Sequence, residues 1–149
     1  MPEHLPGRAA TSTGFGRVIV FVYGILAFAA SGRATFELTT KFREAPFPYS
    51  LSILAAVIYV VATWALATGR RRIATATVSF ELLGVLVVGF SSLLATDKFP
   101  EASVWSDFGA GYGWVPLVLP MVGLWWLYRT RTTVVEEVAQ QPSGNPIAE

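Results

Sequence analysis

Between Ile73 and Ala95 the chain reads IATATVSFELLGVLVVGFSSLLA, a run of more than twenty residues without lysine, arginine or aspartate. It holds one ionisable group, Glu81. A helix of about 20 such residues matches the hydrocarbon core of a bilayer. A carboxylate left at the centre of that core costs roughly 2.5–3.5 kcal/mol on insertion scales. The run therefore makes two demands. The chain must live in a membrane, and a neighbour must give Glu81 a partner.

The remaining apolar residues repeat the first demand. Of 149 residues, 53% are hydrophobic and only 14% charged, against about 25% in soluble domains. They gather in long runs rather than recurring at a helical or strand period, which separates a membrane chain from an ordinary core. This length holds four spans, short loops and two tails, with no room for a separate soluble domain. A net charge of +1 gives no global attraction to nucleic acid, so none is expected as a partner. The chain has no cysteine, which removes disulfides, thiolate metal sites and cysteine nucleophiles. Its one histidine, His4, sits beside Pro2 and Pro6 in a polar stretch, a poor place for an imidazole metal site, a haem ligand or a Ser-His-Asp set. No HExxH, phosphate loop or CxxC occurs. An enzyme is the less favoured class, and no metal or cofactor is expected.

The predicted fold is an all-α, four-helix transmembrane bundle. Residues 1–16 form a polar tail and residues 17–131 the membrane domain, with spans at about 17–38, 49–68, 73–95 and 112–128. Residues 132–149 form a disordered tail with room for a short helix at Val134–Gln141. The apolar stretch after Arg17 is long and no mature soluble domain follows it, so it reads as an uncleaved span rather than a signal peptide. Pro46 and Pro48 resist helix continuation and place residues 41–48 in a loop. Pro120, with Gly123 close behind, predicts a kink in the last span.

Orientation follows from Gly69 to Arg72. Three adjacent arginines, Arg70, Arg71 and Arg72, fill a short turn, and short cytoplasmic loops are rich in Lys and Arg. With four spans, the same side receives Arg8, Arg17, Arg129 and Arg131. Both termini are then cytoplasmic. The triplet also suits anionic lipid headgroups.

Two places carry chemistry. In the first span Arg33 and Glu37 are four residues apart and share a helix face, as an interfacial ion pair or a buried polar site. Glu81 lies about 12 Å from the cytoplasmic end of its span, and Arg33 about 22 Å along the first. A direct Glu81–Arg33 pair is therefore not expected; Tyr23, Thr63 and Trp64 lie at a more compatible depth, and Arg70 or Arg71 reaching up is the alternative. The second place is the loop 97–113, where Trp105, Phe108 and Tyr112 mingle with Asp97, Glu101 and Asp107. It reads as an interfacial cap or re-entrant element, or as a lid or contact surface presenting Trp105, Asp107 and Tyr112.

The runs Trp105-Ser106-Asp107-Phe108-Gly109, Gly111-Tyr112-Gly113 and Val115-Pro116-Leu117-Val118-Leu119-Pro120 resemble those of uncharacterised small bacterial four-span integral membrane proteins. The likeness covers roughly Gly16 to Arg131. It implies a bacterial plasma (inner) membrane setting and carries over no activity and no functional residue. A looser likeness, in size and span count, is to DoxX-like membrane proteins, some of which are associated with redox partners. The expected function is a non-enzymatic accessory or structural subunit of a membrane complex, with the bilayer and other subunits or further copies as partners. The alternative is a small transporter or lipophilic-ligand carrier using Glu81 with Arg33 and Glu37.

Overall fold

The computed structural model describes residues 14–95, 97 and 103–140. These form α1 (Gly14–Thr40), α2 (Pro46–Ala67), α3 (Arg71–Leu94), a short 3₁₀ segment (Ser106–Tyr112) and α4 (Val115–Gln140). No strand occurs among the described residues. The first three helices are each long and apolar enough to cross a membrane. The 3₁₀ segment and α4 meet at 99° and make a fourth candidate only when taken together as one bent span.

Only 33%, 39% and 33% of the apolar windows of α1, α2 and α3 are buried within the chain. The rest of an apolar surface faces outward, including Phe21, Phe28, Leu83 and Leu94. Water would not tolerate so continuous a patch; hydrocarbon does. The hydroxyls within the helices close on their own backbone. Ser50 donates to the Pro46 carbonyl at 2.7 Å, Thr63 to Tyr59 at 2.7 Å and Thr77 to Ile73 at 2.8 Å. Each bond satisfies a polar group where no water is at hand.

α2 starts three residues earlier than the expected span, because Pro46 and Pro48 fall in its first turn, where backbone N–H groups have no intrahelical partner to lose. It ends at Ala67 and the chain turns at Gly69, whose φ of 70° is left-handed. The Gly69 N–H bonds the Leu66 carbonyl at 3.3 Å and the Arg70 N–H the Ala65 carbonyl at 2.8 Å. That crossed pair of bonds is a Schellman termination, and it turns the chain straight into α3.

α1 packs most extensively on α2, and α3 lies between α2 and α4. Ala27, Ala30 and Ala34 of α1 and Ala55, Ala56 and Ala62 of α2 are all buried. Such small side chains let two helices approach closely in lipid. α4 runs antiparallel to α3: Gly123 faces Val78, and Arg71 at the start of α3 reaches Thr130. Carried along the helices, this register starts α4 about 12 Å short of the Leu94 end of α3. Residues 103–114 fill the missing length. The sharp bend thus precedes Val115, and Pro120, where the sequence predicts a kink, sits inside one continuous helix. At its other end α4 runs on to Gln140, so residues 132–140, expected in the tail, are helical. Residues 1–13 and 141–149 of the two expected tails lie outside the described residues.

Arg71 does more than mark a turn. Its guanidinium donates to Thr130 Oγ1 at 2.8 Å and to the Leu127 carbonyl, tying the start of α3 to α4. Arg70 lies 4.8 Å from the centroid of the Trp64 ring, a cation–π contact at the same end. Arg72 is exposed. Hydrogen bonds from a charged donor contribute about 1.5–3 kcal/mol, discounted here because Arg71 is partly exposed. Arg71→Ala is therefore expected to cost about 1–2 kcal/mol in thermal unfolding in detergent. Arg72→Ala is expected to cost under about 0.5 kcal/mol, as a surface change. Equal losses would remove the tie.

Candidate functional site

Four elements converge on Glu81. It lies near the middle of α3, about 15 Å from Arg71, and is 0% exposed. Tyr23 of α1 donates its hydroxyl proton to Glu81 Oε2 at 2.7 Å. Tyr59 of α2 brings its hydroxyl beside the same carboxyl. That hydroxyl accepts the indole N–H of Trp105 at 3.2 Å. The two phenol rings lie 6.4 Å apart, tilted by 52°. α4 closes the remaining side with Gly123, where an added Cβ would stand 3.7 Å from the Tyr23 hydroxyl. The other carboxyl oxygen, Oε1, is buried and meets no hydrogen-bond partner among the described residues.

Trp105 reaches this site because residues 103–112 lie back against α3. Its ring lies on Gly84, where an added Cβ would fall 2.8 Å from Cζ3. About one and a half turns further along α3, Phe108 lies on Gly89, where an added Cβ would stand 2.5 Å from Cδ1. Phe90 meets the Phe108 ring edge-on at 5.1 Å and 87°. Two glycines of α3 are thus seats for two aromatic rings. The backbone that delivers the rings is left-handed at Asp107 (φ 49°), Phe108 (φ 57°) and Gly109 (φ 79°). Gly109 also lies against Pro116, which would leave a Cβ only 2.7 Å from the ring. A left-handed conformation costs roughly 1–2 kcal/mol at each non-glycine residue. Ser92 helps hold it: its hydroxyl accepts the Asp107 N–H at 2.9 Å and donates to the Gly89 carbonyl at 2.8 Å. Glycine adopts φ 49° freely, so Asp107→Gly is expected to leave the melting temperature within about 0.5 kcal/mol equivalent. Asp107→Val is expected to cost about 2 kcal/mol by strain at a β-branched residue. The reverse order would mean that the aspartate side chain, not the backbone, holds the turn.

A second polar cluster lies toward the Leu94 end. Arg33 donates Nε–H to Glu37 Oε1 at 2.6 Å, and the Tyr112 hydroxyl is a further partner of Arg33. Glu37 is 5% exposed, and its Oε2 has no hydrogen-bond partner among the described residues. Arg33 lies about 15 Å along α1 from Tyr23.

The structure thus divides what the sequence grouped. Glu81 stands with Tyr23, one of its candidate partners, while Arg70 and Arg71 turn to Trp64 and to α4, and Arg33 and Glu37 pair with each other and take in Tyr112. Trp105 is 2% exposed and so is an interior residue rather than an outer contact, because the glycine seats draw the loop inward. Asp107 is exposed and Tyr112 half-buried. Tyr59, Gly84 and Gly89 escaped the sequence reading. Gly84 and Gly89, in a span otherwise dense with Leu and Val, were the available signal, since a buried glycine often marks a close approach. No group of three or more His, Cys, Asp or Glu suited to a metal ion occurs among the described residues. Chemically, the Glu81 site is a carboxyl clasped by phenols, with one acceptor oxygen left over. The chain matches no family model, no curated protein and no solved structure.

Proposed function

We propose that the chain is a four-span protein of a bacterial inner membrane, with both termini cytoplasmic, acting as a non-enzymatic accessory or structural subunit of a membrane complex. The observation that carries this reading is the closure of Glu81. A transport station must exchange its ligand with one side or the other. Here the carboxyl is fully buried and bonded by Tyr23, and the Tyr59 hydroxyl beside it is held by the Trp105 indole. In this reading the cluster fixes four elements in one arrangement, a role attested for some buried polar groups. The far end of α4 supports it. From the Thr130 level, where α3 begins, the helix projects about 15 Å to Gln140. Val135 and Val138 are exposed on one side of that projection, a surface suited to a neighbouring subunit. Extraction in mild detergent followed by native electrophoresis should give a species heavier than the 16.1 kDa chain. A strictly monomeric protein, with no crosslinked partner in intact membranes, would count against the reading.

Orientation has its own test. The chain lacks cysteine, so a single cysteine at the exposed Thr68 reports one site without background. It is expected to react with an impermeant maleimide only after the cells are opened. Reaction in intact cells would invert the topology.

The second reading, a small transporter or lipophilic-ligand carrier using Glu81 with Arg33 and Glu37, draws on Glu81 Oε1 and Glu37 Oε2, two buried oxygens that meet no hydrogen-bond partner among the described residues. A ligand hydrogen-bond donor would satisfy either one. If Glu81→Gln abolishes uptake or ligand retention while the protein stays folded, this reading replaces the first.

A further inference from the structure

The seam between α1 and α4 is the loosest in the bundle; the two helices touch along a short stretch only. They close at one end, where Phe15 meets Trp125 edge-on with centroids 6.2 Å apart. Beyond that contact the seam opens into a trough of about 280 Å³ that reaches Gly113. Its floor is Ile19 and Leu119, both buried, and its rims include Val18 and Val118, both more than half exposed.

Arg129 stands about two turns beyond Val122, the last trough residue of α4, and so on the same helix face. Its guanidinium lies 5.0 Å from the centroid of the Trp125 ring. An apolar trough that ends in an aromatic–cation pair is complementary to an amphiphile with an anionic head. The dimensions agree. From Val118 to Arg129 is about 16 Å of helix, close to half of the roughly 30 Å hydrocarbon thickness and hence to one acyl chain in one leaflet. A second protein helix fits less well. Helices associate in lipid through small residues, whereas exposed valines rim this trough.

The geometry points to a binding site for one anionic phospholipid, with an acyl chain between Ile19 and Leu119 and the phosphate on Arg129. Charge-assisted bonding of the guanidinium to a phosphate supplies the preference for an anionic head. The site is distinct from the Glu81 cluster, whose residues do not line the trough.

The test is lipid retention by the full chain, purified in detergent and titrated with dioleoyl phosphatidylglycerol or dioleoyl phosphatidylcholine, read by native mass spectrometry. The expected result is one retained phosphatidylglycerol, favoured over phosphatidylcholine about tenfold. Arg129→Gln should erase that preference while weak retention of both lipids persists. Val118→Trp, which fills the trough, should abolish retention of both. Val18→Trp, on the opposite rim, repeats the test should the first variant not fold. Equal retention of the two lipids by the unaltered protein would overturn the proposal, as would retention unaffected by both tryptophan variants. A disulfide-linked dimer formed in membranes through Val118→Cys would also overturn it, assigning the trough to a second copy.

Discussion

Gly89→Leu is expected to expel Phe108 from its seat on α3 and to destabilise the protein by about 3 kcal/mol. The added Cβ alone would stand 2.5 Å and 2.8 Å from two ring atoms. Neither side can yield cheaply. α3 is a continuous helix, and the ring hangs from a backbone already held left-handed at φ 57°. Overpacking of a tight contact costs about 1–3 kcal/mol. Losing the edge-to-face contact with Phe90 adds about 0.5–1.5 kcal/mol. Thermal unfolding in detergent measures the loss, and limited proteolysis between α3 and α4 reads the released segment. The pair Gly89→Ala with Phe108→Leu should recover part of the stability, since contacting sites are not additive. A single variant with unchanged melting and unchanged protease protection would show that Phe108 is not seated there.

Tyr23→Phe is expected to cost about 2–3 kcal/mol, because it strips the 2.7 Å hydrogen bond that Tyr23 donates from a fully buried carboxyl. Glu81→Leu should cost less than that, and combined with Tyr23→Phe it should give a double variant more stable than Tyr23→Phe alone. The reason is an asymmetry of buried polar groups: breaking a pair strands a partner, whereas replacing both members with apolar groups strands nothing. If the cluster only fixes the arrangement of helices, the double variant also keeps its native assembly. If instead Glu81→Leu folds well but loses ligand retention or transport, the carboxyl is a working group and the structural reading fails. Thermal unfolding and assembly mass, measured on the same three variants, separate these outcomes.

The sequence was legible where the physics is local. Long apolar runs announce helices in lipid because the cost of burying polar backbone and side chains accumulates residue by residue along the chain. The spans expected at 17–38, 49–68 and 73–95 accordingly lie within or close to α1, α2 and α3. The Arg33–Glu37 pair was legible for the same reason, being one helical turn apart. The last segment was harder. Its apolar stretch from Val115 to Tyr128 is about 21 Å of helix, too short to cross alone. It becomes a candidate crossing only when taken together with the bent 3₁₀ segment before it, and no run of residues encodes that pairing directly.

Glu81 marks the limit. Its isolation in an apolar run shows from the sequence alone that a partner is needed, and helix depth narrows the choice to a level that includes Tyr23. Tyr23 is 58 positions away in the chain and Trp105 is 46 from Tyr59. Nothing local records which helix faces turn toward each other. By itself the sequence determined the solvent, the helices and the need to satisfy one carboxyl, because each is a sum of short-range terms. The tertiary structure alone decided who satisfies it, that two glycines of α3 receive the rings of Trp105 and Phe108, and that α1 and α4 part to leave a trough. Those outcomes depend on helix register and rotation, which are set only when all the elements pack at once.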